Sequence, residues 1–196
     1  MKRVLMIAYI FAIGLLLVSC AGIPTKPTEA NFKAPVIALE SAQVTQYNGY
    51  WYYGGNIAPT KGKAGANSAV LPMAFLFNIT NPNDYPVKLE GFGFTVVFDG
   101  FDVNMVNSFD TQWIPAGKTN QLTVMSILDV HQGLLGLLLP NAEKVKERKT
   151  NPWALLEEWW TGIPNMTVPI EVQRGSANFT ADGVQKVVPF AAKVAK

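Results

Sequence analysis

One cysteine, Cys20, and one histidine, His131, are all that this 196-residue chain has of either residue. A lone cysteine excludes an internal disulfide. A lone histidine gives a Ser-His-Asp relay a single place to be built. That place is an apolar stretch with no nucleophile motif beside it, so His131 is expected in a surface or helix-packing role rather than in catalysis. No metal site is expected either, because the carboxylates are scattered without an EF-hand-like series. Charge is sparse: 15% of residues are Asp, Glu, Lys or Arg, and the net is +2. With Lys2 and Arg3 set aside, 14 acidic side chains face as many basic ones, which removes the electrostatic case for nucleic acid. The lysines between Gly54 and Ala69 do not follow the spacing of a phosphate loop, and no internal repeat is present. No cofactor is expected.

What the chain has in plenty is apolar residues, 49% of the total, with aromatics at 11%. The first apolar block follows Lys2-Arg3, runs from Val4 to Val18 and ends in small residues, the three parts of an export signal. The run falls short of the roughly 20 residues that cross a bilayer comfortably, which argues against an uncleaved anchor. Leu17-Val18-Ser19-Cys20 resembles the lipobox of bacterial lipoproteins. That resemblance implies cleavage between Ser19 and Cys20 and attachment of diacylglyceryl and palmitate-type chains at the Cys20 thiol. Because Ala21 rather than aspartate follows, it also implies the outer membrane where the source has two. At about 0.8 kcal/mol per buried methylene, two or three acyl chains anchor stably. The expected location is the cell envelope, lipid-anchored on the periplasmic or surface side.

Three segments follow: a signal over 1–19, a small, polar, proline-bearing linker over 20–35, and one domain over 36–196 that is long enough to build a core. Val36 to Tyr47 reads as a first strand, and the aromatic Tyr47 to Tyr53 is β-prone. Gly54 to Ala69 reads as a mobile loop. Val70 to Thr80 is the clearest strand, with Leu71, Met73, Phe75, Phe77 and Ile79 on one face at period two. Asn81-Pro82-Asn83-Asp84 then reverses the chain: proline fixes φ, and Asn and Asp side chains bond nearby amides. Asn81 and Asn83 suit a polar binding site too, but a turn requires just these residue types and is the preferred reading. Pro86 to Phe98 puts Phe92, Phe94, Val96 and Phe98 on one face, and Gly91 or Gly93 allows a bulge. Phe101 to Phe109, Thr119 to Met125, Met166 to Gln173, Ala177 to Thr180 and Lys186 to Phe190 complete the strands, with Asp99-Gly100 and Asp182-Gly183 as hairpin turns. Short strands punctuated by turns indicate a sandwich of antiparallel sheets.

A helical insertion over about 126–164 interrupts this pattern. Ser126 with Asp129 resembles a capping box for a helix over Ile127 to Leu139, a charged helix over Ala142 to Lys149 follows, and Asn151 with Pro152 opens a third that ends at Gly162.

Phe77-Asn-Ile-Thr-Asn-Pro-Asn83 with Tyr85-Pro-Val-Lys-Leu89, then Phe94-Thr-Val-Val-Phe-Asp-Gly100, then Ile114-Pro-Ala-Gly-Lys118 leading into a strand, resemble the late-embryogenesis-abundant type 2 domain, also called the water stress and hypersensitive response (WHy) domain. The resemblance covers Val70 to about Pro189. It implies a mainly β fold, an immunoglobulin- or fibronectin III-like antiparallel β-sandwich with a helix in one connection, and no catalytic residues or cofactor. It also implies a part in protection against desiccation and other stress, or the binding of lipid or a partner. The connection from Ser126 to Pro164 is longer than the family leads one to expect, so a function specific to this chain is sought there.

Within that insertion, Glu157-Glu158 beside Trp159-Trp160 suggests a sugar-binding or acid/base pair, but neighbours on a helix point apart and a packing role is preferred. Leu135, Leu138, Trp153, Trp159 and Trp160, close to the basic run Lys144 to Lys149, suggest contact with a membrane or a lipid-binding groove. The plainer alternative, in which these residues cap the open end of the core, is preferred. The sequons at Asn78, Asn165 and Asn178 have no meaning beside a lipobox. The expected function is that of a lipid-anchored, non-enzymatic envelope module, stress-protective or partner-binding, with lipid or another envelope protein as partner. The alternative is a lipid-binding or lipid-transport accessory.

Overall fold

Alternation at period two builds the centre of the molecule. The computed structural model describes residues 26–56 and 58–194. Ser19 and Cys20, with the rest of the expected signal, lie outside the described residues. Strand β2 (Val70–Thr80) buries Leu71, Met73, Phe75, Phe77 and Ile79, the face expected from the pattern, and β3 (Val87–Phe98) buries Phe92, Phe94, Val96 and Phe98. Two antiparallel sheets result. One has the order β1 (Val36–Val44), β2, β6 (Thr119–Asp129). The other has β4 (Phe101–Ser108), β3, β7 (Ile170–Ala181), β8 (Val184–Lys193), with short β5 (Gln112–Ile114) also paired to β3. The chain is thus a mainly β sandwich. Between its layers Phe75, Phe77, Phe92, Phe94 and Phe190 meet mostly edge to face, with centroids 4.6–6.5 Å apart. Each fully buried ring contributes about 1.5–3 kcal/mol.

β2 and β3 lie in different sheets, so Asn81 to Pro86 is an arch between layers rather than a hairpin. Bulges fall next to Gly91 and Gly93, as the glycines suggested. The eleven residues of β2 set two poles about 34 Å apart. At one lie the arch, the turn at Pro115–Lys118 and the N-terminal segment. At the other lie four helices: α1 (Tyr50–Gly54), α2 (Val130–Leu138), α3 (Ala142–Glu147) and α4 (Pro152–Gly162).

Four expectations are corrected. Tyr47 to Tyr53 does not form a strand; it contains α1, because Tyr50 and Tyr53, three apart, bury together as a helical pair at 5.4 Å. β6 continues to Asp129 instead of yielding to a helix at Ile127, since Leu122, Val124, Ser126 and Leu128 all point inward at period two. Ser126 is therefore no cap: Asp129 alone caps α2, accepting the His131 amide at 2.8 Å. Met166–Gln173 and Ala177–Thr180 belong largely to one strand, β7, bulged between Val172 and Gly175 where Arg174 adopts φ +50°. In the segment expected to be a linker through Pro35, Phe32 and Pro35 are buried against the sandwich, while Thr28 to Ala30 stay exposed.

Candidate functional site

At the arch pole, Asn81, Pro82 and Asn83 form a turn that ties three segments together. Asn81 and Asn83 are both buried. The Asn81 amide nitrogen donates to the carbonyls of Tyr85, Ile114 and Pro115 at 2.8, 3.1 and 3.2 Å, and its oxygen accepts from the Asn83 amide at 3.0 Å. The Asn83 side chain accepts from the Lys33 amide at 2.8 Å and donates to the Lys33 carbonyl at 2.9 Å, pairing with that backbone as a strand neighbour would. Phe32 stands edge-on to Tyr85, and the Lys186 ammonium reaches both the Phe32 carbonyl and its ring. Burial and complete pairing make the two asparagines structural. They fix where the N-terminal segment meets the sandwich.

At the helical pole the insertion splits into an inner and an outer set. Trp159 and Trp160 have 0% exposure and pack into the core, the preferred of the two sequence readings, rather than facing outward for membrane contact. Trp159 fills the gap above the β3–β4 hairpin, edge-on to Phe98 and Phe101 at 5.7 and 5.6 Å. Trp153 is half-buried. The indole N–H groups of all three tryptophans find no acceptor among the described residues. Helix α2 approaches α4 closely through Gly133, where an added Cβ would lie 3.2 Å from Leu156, and turns Leu137 inward. Its Leu135 and Leu138, with Leu139 just beyond, form an exposed crest, at 57% exposure for Leu135 and 73% for Leu139. Asn151 caps α4 with Pro152 at its start, as expected, accepting the Ala154 amide at 3.0 Å.

Two groups here are brought together only by the fold. Glu157 is nearly buried, whereas its neighbour Glu158 is exposed. The Glu157 carboxylate accepts from the Thr60 hydroxyl at 2.8 Å, from the Gly62 amide at 2.7 Å and from the Thr60 amide, so it holds the 58–68 loop on α4. These partners lie about a hundred positions away and only the fold brings them together. Beside them Tyr50, whose hydroxyl bonds the Trp153 carbonyl, is pushed up to about 12; burial is the main cause and is partly offset by its hydrogen bond with Thr60. The second group is Ser68, Asp129 and His131. Asp129 sits between the other two, accepting the Ser68 hydroxyl and lying 3.3 Å from His131 Nδ1. Burial raises its carboxyl, but these hydrogen bonds and the imidazole charge outweigh that and hold it below the usual range. The three residue types of a catalytic triad meet, yet the serine bonds to the carboxylate instead of the imidazole, which is not the connectivity of a nucleophile activated by a base.

Beside Glu157 lies a cleft of about 320 Å³, walled by Tyr47, Tyr50 and Trp51 from one side and by Glu157 and Thr161 of α4 from the other. Among the described residues no three His, Cys, Asp or Glu side chains gather as a metal site, and no helix is long and apolar enough to cross a membrane.

No protein-family model matches this chain, and no curated protein matches it. Solved structures align loosely. A crystal structure of a protein from Archaeoglobus fulgidus shares 15% identity over 80% of this chain and 94% of its own, with a TM-score of 0.41. A solution structure from Arabidopsis thaliana shares 12% over 85% and 89%, with a TM-score of 0.42. Likenesses of this order carry no functional argument.

Proposed function

We propose that the chain is a lipid-anchored, non-enzymatic envelope protein whose LEA type 2 or WHy-like domain acts as a partner-binding or stress-protective module. The observation that carries this reading is the arch pole. Asn83 of the family-like Asn81-Pro82-Asn83 turn, held in turn by Asn81, binds the backbone at Lys33, so the chain leaves the domain toward Cys20 from the arch end. Residues 21–27, fully extended, reach at most about 25 Å. An acylated Cys20 would therefore keep the arch pole near the bilayer and turn the helical pole, about 34 Å further on, away from it.

The rival reading, a lipid-binding or transport accessory, draws support from the exposed Leu135, Leu138 and Leu139 crest. Against it stands an interior occupied by phenylalanine rings in mutual contact, where a carrier needs room for a chain. The test is metabolic labelling with an alkyne fatty acid, followed by membrane fractionation and lipid extraction of the purified full chain. The proposal expects label in the wild type, none in Cys20→Ser, and no stoichiometric co-purifying lipid. Label independent of Cys20 sinks the anchor. A one-to-one extracted lipid moves the function to the rival.

A further inference from the structure

The cleft at the helical pole presents aromatic rings to solvent where the rest of the pole buries them. Trp51 is 52% exposed and Tyr47 42% exposed, although Trp159 and Trp160 a short distance along the same pole are fully buried. The Trp51 indole lies against Gly49, where an added Cβ would come within 2.6 Å of Cδ1 and 2.7 Å of Nε1, so glycine leaves the room for this seat. Tyr52 stands edge-on to it at 85° and 5.7 Å. The Tyr47 hydroxyl is fixed to the Trp160 carbonyl at 2.6 Å. The polar wall is equally preset. The Glu157 carboxylate has roughly four lone-pair positions, of which three are taken by Thr60 and Gly62, leaving one acceptor position beside the aromatic wall.

An exposed aromatic platform next to a fixed hydrogen-bond acceptor suits a molecule with a flat C–H face and hydroxyls at its edge. We infer that this cleft is a saccharide-binding site, with Trp51 stacking on a pyranose ring and Glu157 accepting from a ring hydroxyl. An acyl chain is poorly served by a wall that carries a carboxylate. The site faces the side away from the arch pole, so its use on a glycan beyond the membrane rests on the proposed anchoring. Binding itself does not.

The full-length protein in detergent is titrated with N-acetylglucosamine tetramer and with cellotetraose, followed by saturation-transfer NMR and tryptophan fluorescence. Saturation transfer to one of these sugars is expected, with affinity reduced about tenfold or more in Trp51→Ala. Trp113→Ala, which removes an exposed tryptophan on β5, is expected to bind as the wild type does. Unchanged thermal unfolding of Trp51→Ala shows that the loss is local. The inference is overturned if neither sugar binds at millimolar concentration, if binding is indifferent to Trp51, or if tetramethylammonium binds the cleft and neither sugar does. Failure of Cys20 labelling leaves these results untouched, so the two proposals fail separately.

Discussion

The two poles of this sandwich are closed by different balances of polar and apolar contact. At the arch pole two buried asparagines satisfy backbone groups from three segments, beside a buried apolar set that includes Phe32, Tyr85, Val87 and Ile114. At the helical pole Leu155, Leu156, Trp159, Trp160 and Ile163 are buried, Glu157 clasps the 58–68 loop, and three indole N–H groups find no acceptor among the described residues. Polar clasping is directional and sets where a chain segment must lie. Apolar burial is not directional, and a large buried area offsets the cost of a polar group left unpaired within it. The difference suits the proposed roles: a fixed exit for a tether at one end, and at the other a filled platform whose surface can be given over to contacts.

Substitutions sharpen the contrast. The largest effect is expected from Trp159→Ala, which opens a cavity above the β3–β4 hairpin and costs about 3–5 kcal/mol in urea unfolding. A cost under 1 kcal/mol would mean that the insertion contributes little to the core. Asn81→Ala leaves the Ile114 carbonyl and the Asn83 amide without their partner and is expected to cost roughly 2–3 kcal/mol. If Asn81→Ala proved neutral, the clasp would be ornamental and the poles would not differ in kind. Glu157→Gln keeps the shape, but its amide nitrogen cannot accept, so at least one of the Thr60 and Gly62 donors loses its partner and the rest lose charge assistance, for about 1–3 kcal/mol. Hydrogen exchange should show the loss at the Thr60 and Gly62 amides while the sheets stay protected; uniform loss over the sandwich would contradict a local latch.

The smallest effect concerns pH. The Asp129 carboxyl is held below its ordinary range in the folded chain, so its contribution to stability is present above about pH 4 and is lost as pH falls through the lowered folded value. Asp129→Asn keeps the helix cap, since asparagine caps as well as aspartate, and removes the titration together with the charge facing His131. Melting temperature followed from pH 6 to pH 2 should therefore fall less steeply in Asp129→Asn. An identical slope would assign the acid sensitivity to other carboxylates, such as Glu171, which its hydrogen bonds with Lys193 and Gln173 also hold low.

The sheet interior was legible because one side of β2 and of β3 is uninterrupted phenylalanine, leucine and isoleucine at period two, a signal that depends on no distant residue. The α4 start was legible for a similar reason, since Asn151 and Pro152 act on their own helix. β6 was misjudged past Met125, where polar Ser126 and Asp129 imitate a helix cap although Leu128 continues the inward alternation. α1 was missed because tyrosine and tryptophan favour strands until tertiary burial decides otherwise. Asn81 and Asn83 were recognised as a turn, but their grip on Lys33 and Ile114 depends on segments that meet only in the fold. The roles of Phe32 and Glu157 depend on the same long-range closure, and nothing in their neighbours announces it.

The central claim is the orientation, with the arch pole near the membrane and the helical pole away from it. Full-length lipidated protein, carrying a fluorophore through a single cysteine introduced by Asp182→Cys or by Leu139→Cys, is reconstituted in vesicles that contain an acceptor lipid, and energy transfer to the bilayer is measured. The account predicts strong transfer from position 182 and markedly weaker transfer from position 139. Equal transfer, or a label at 139 inserted in the lipid, would contradict it and place the leucine crest on the membrane.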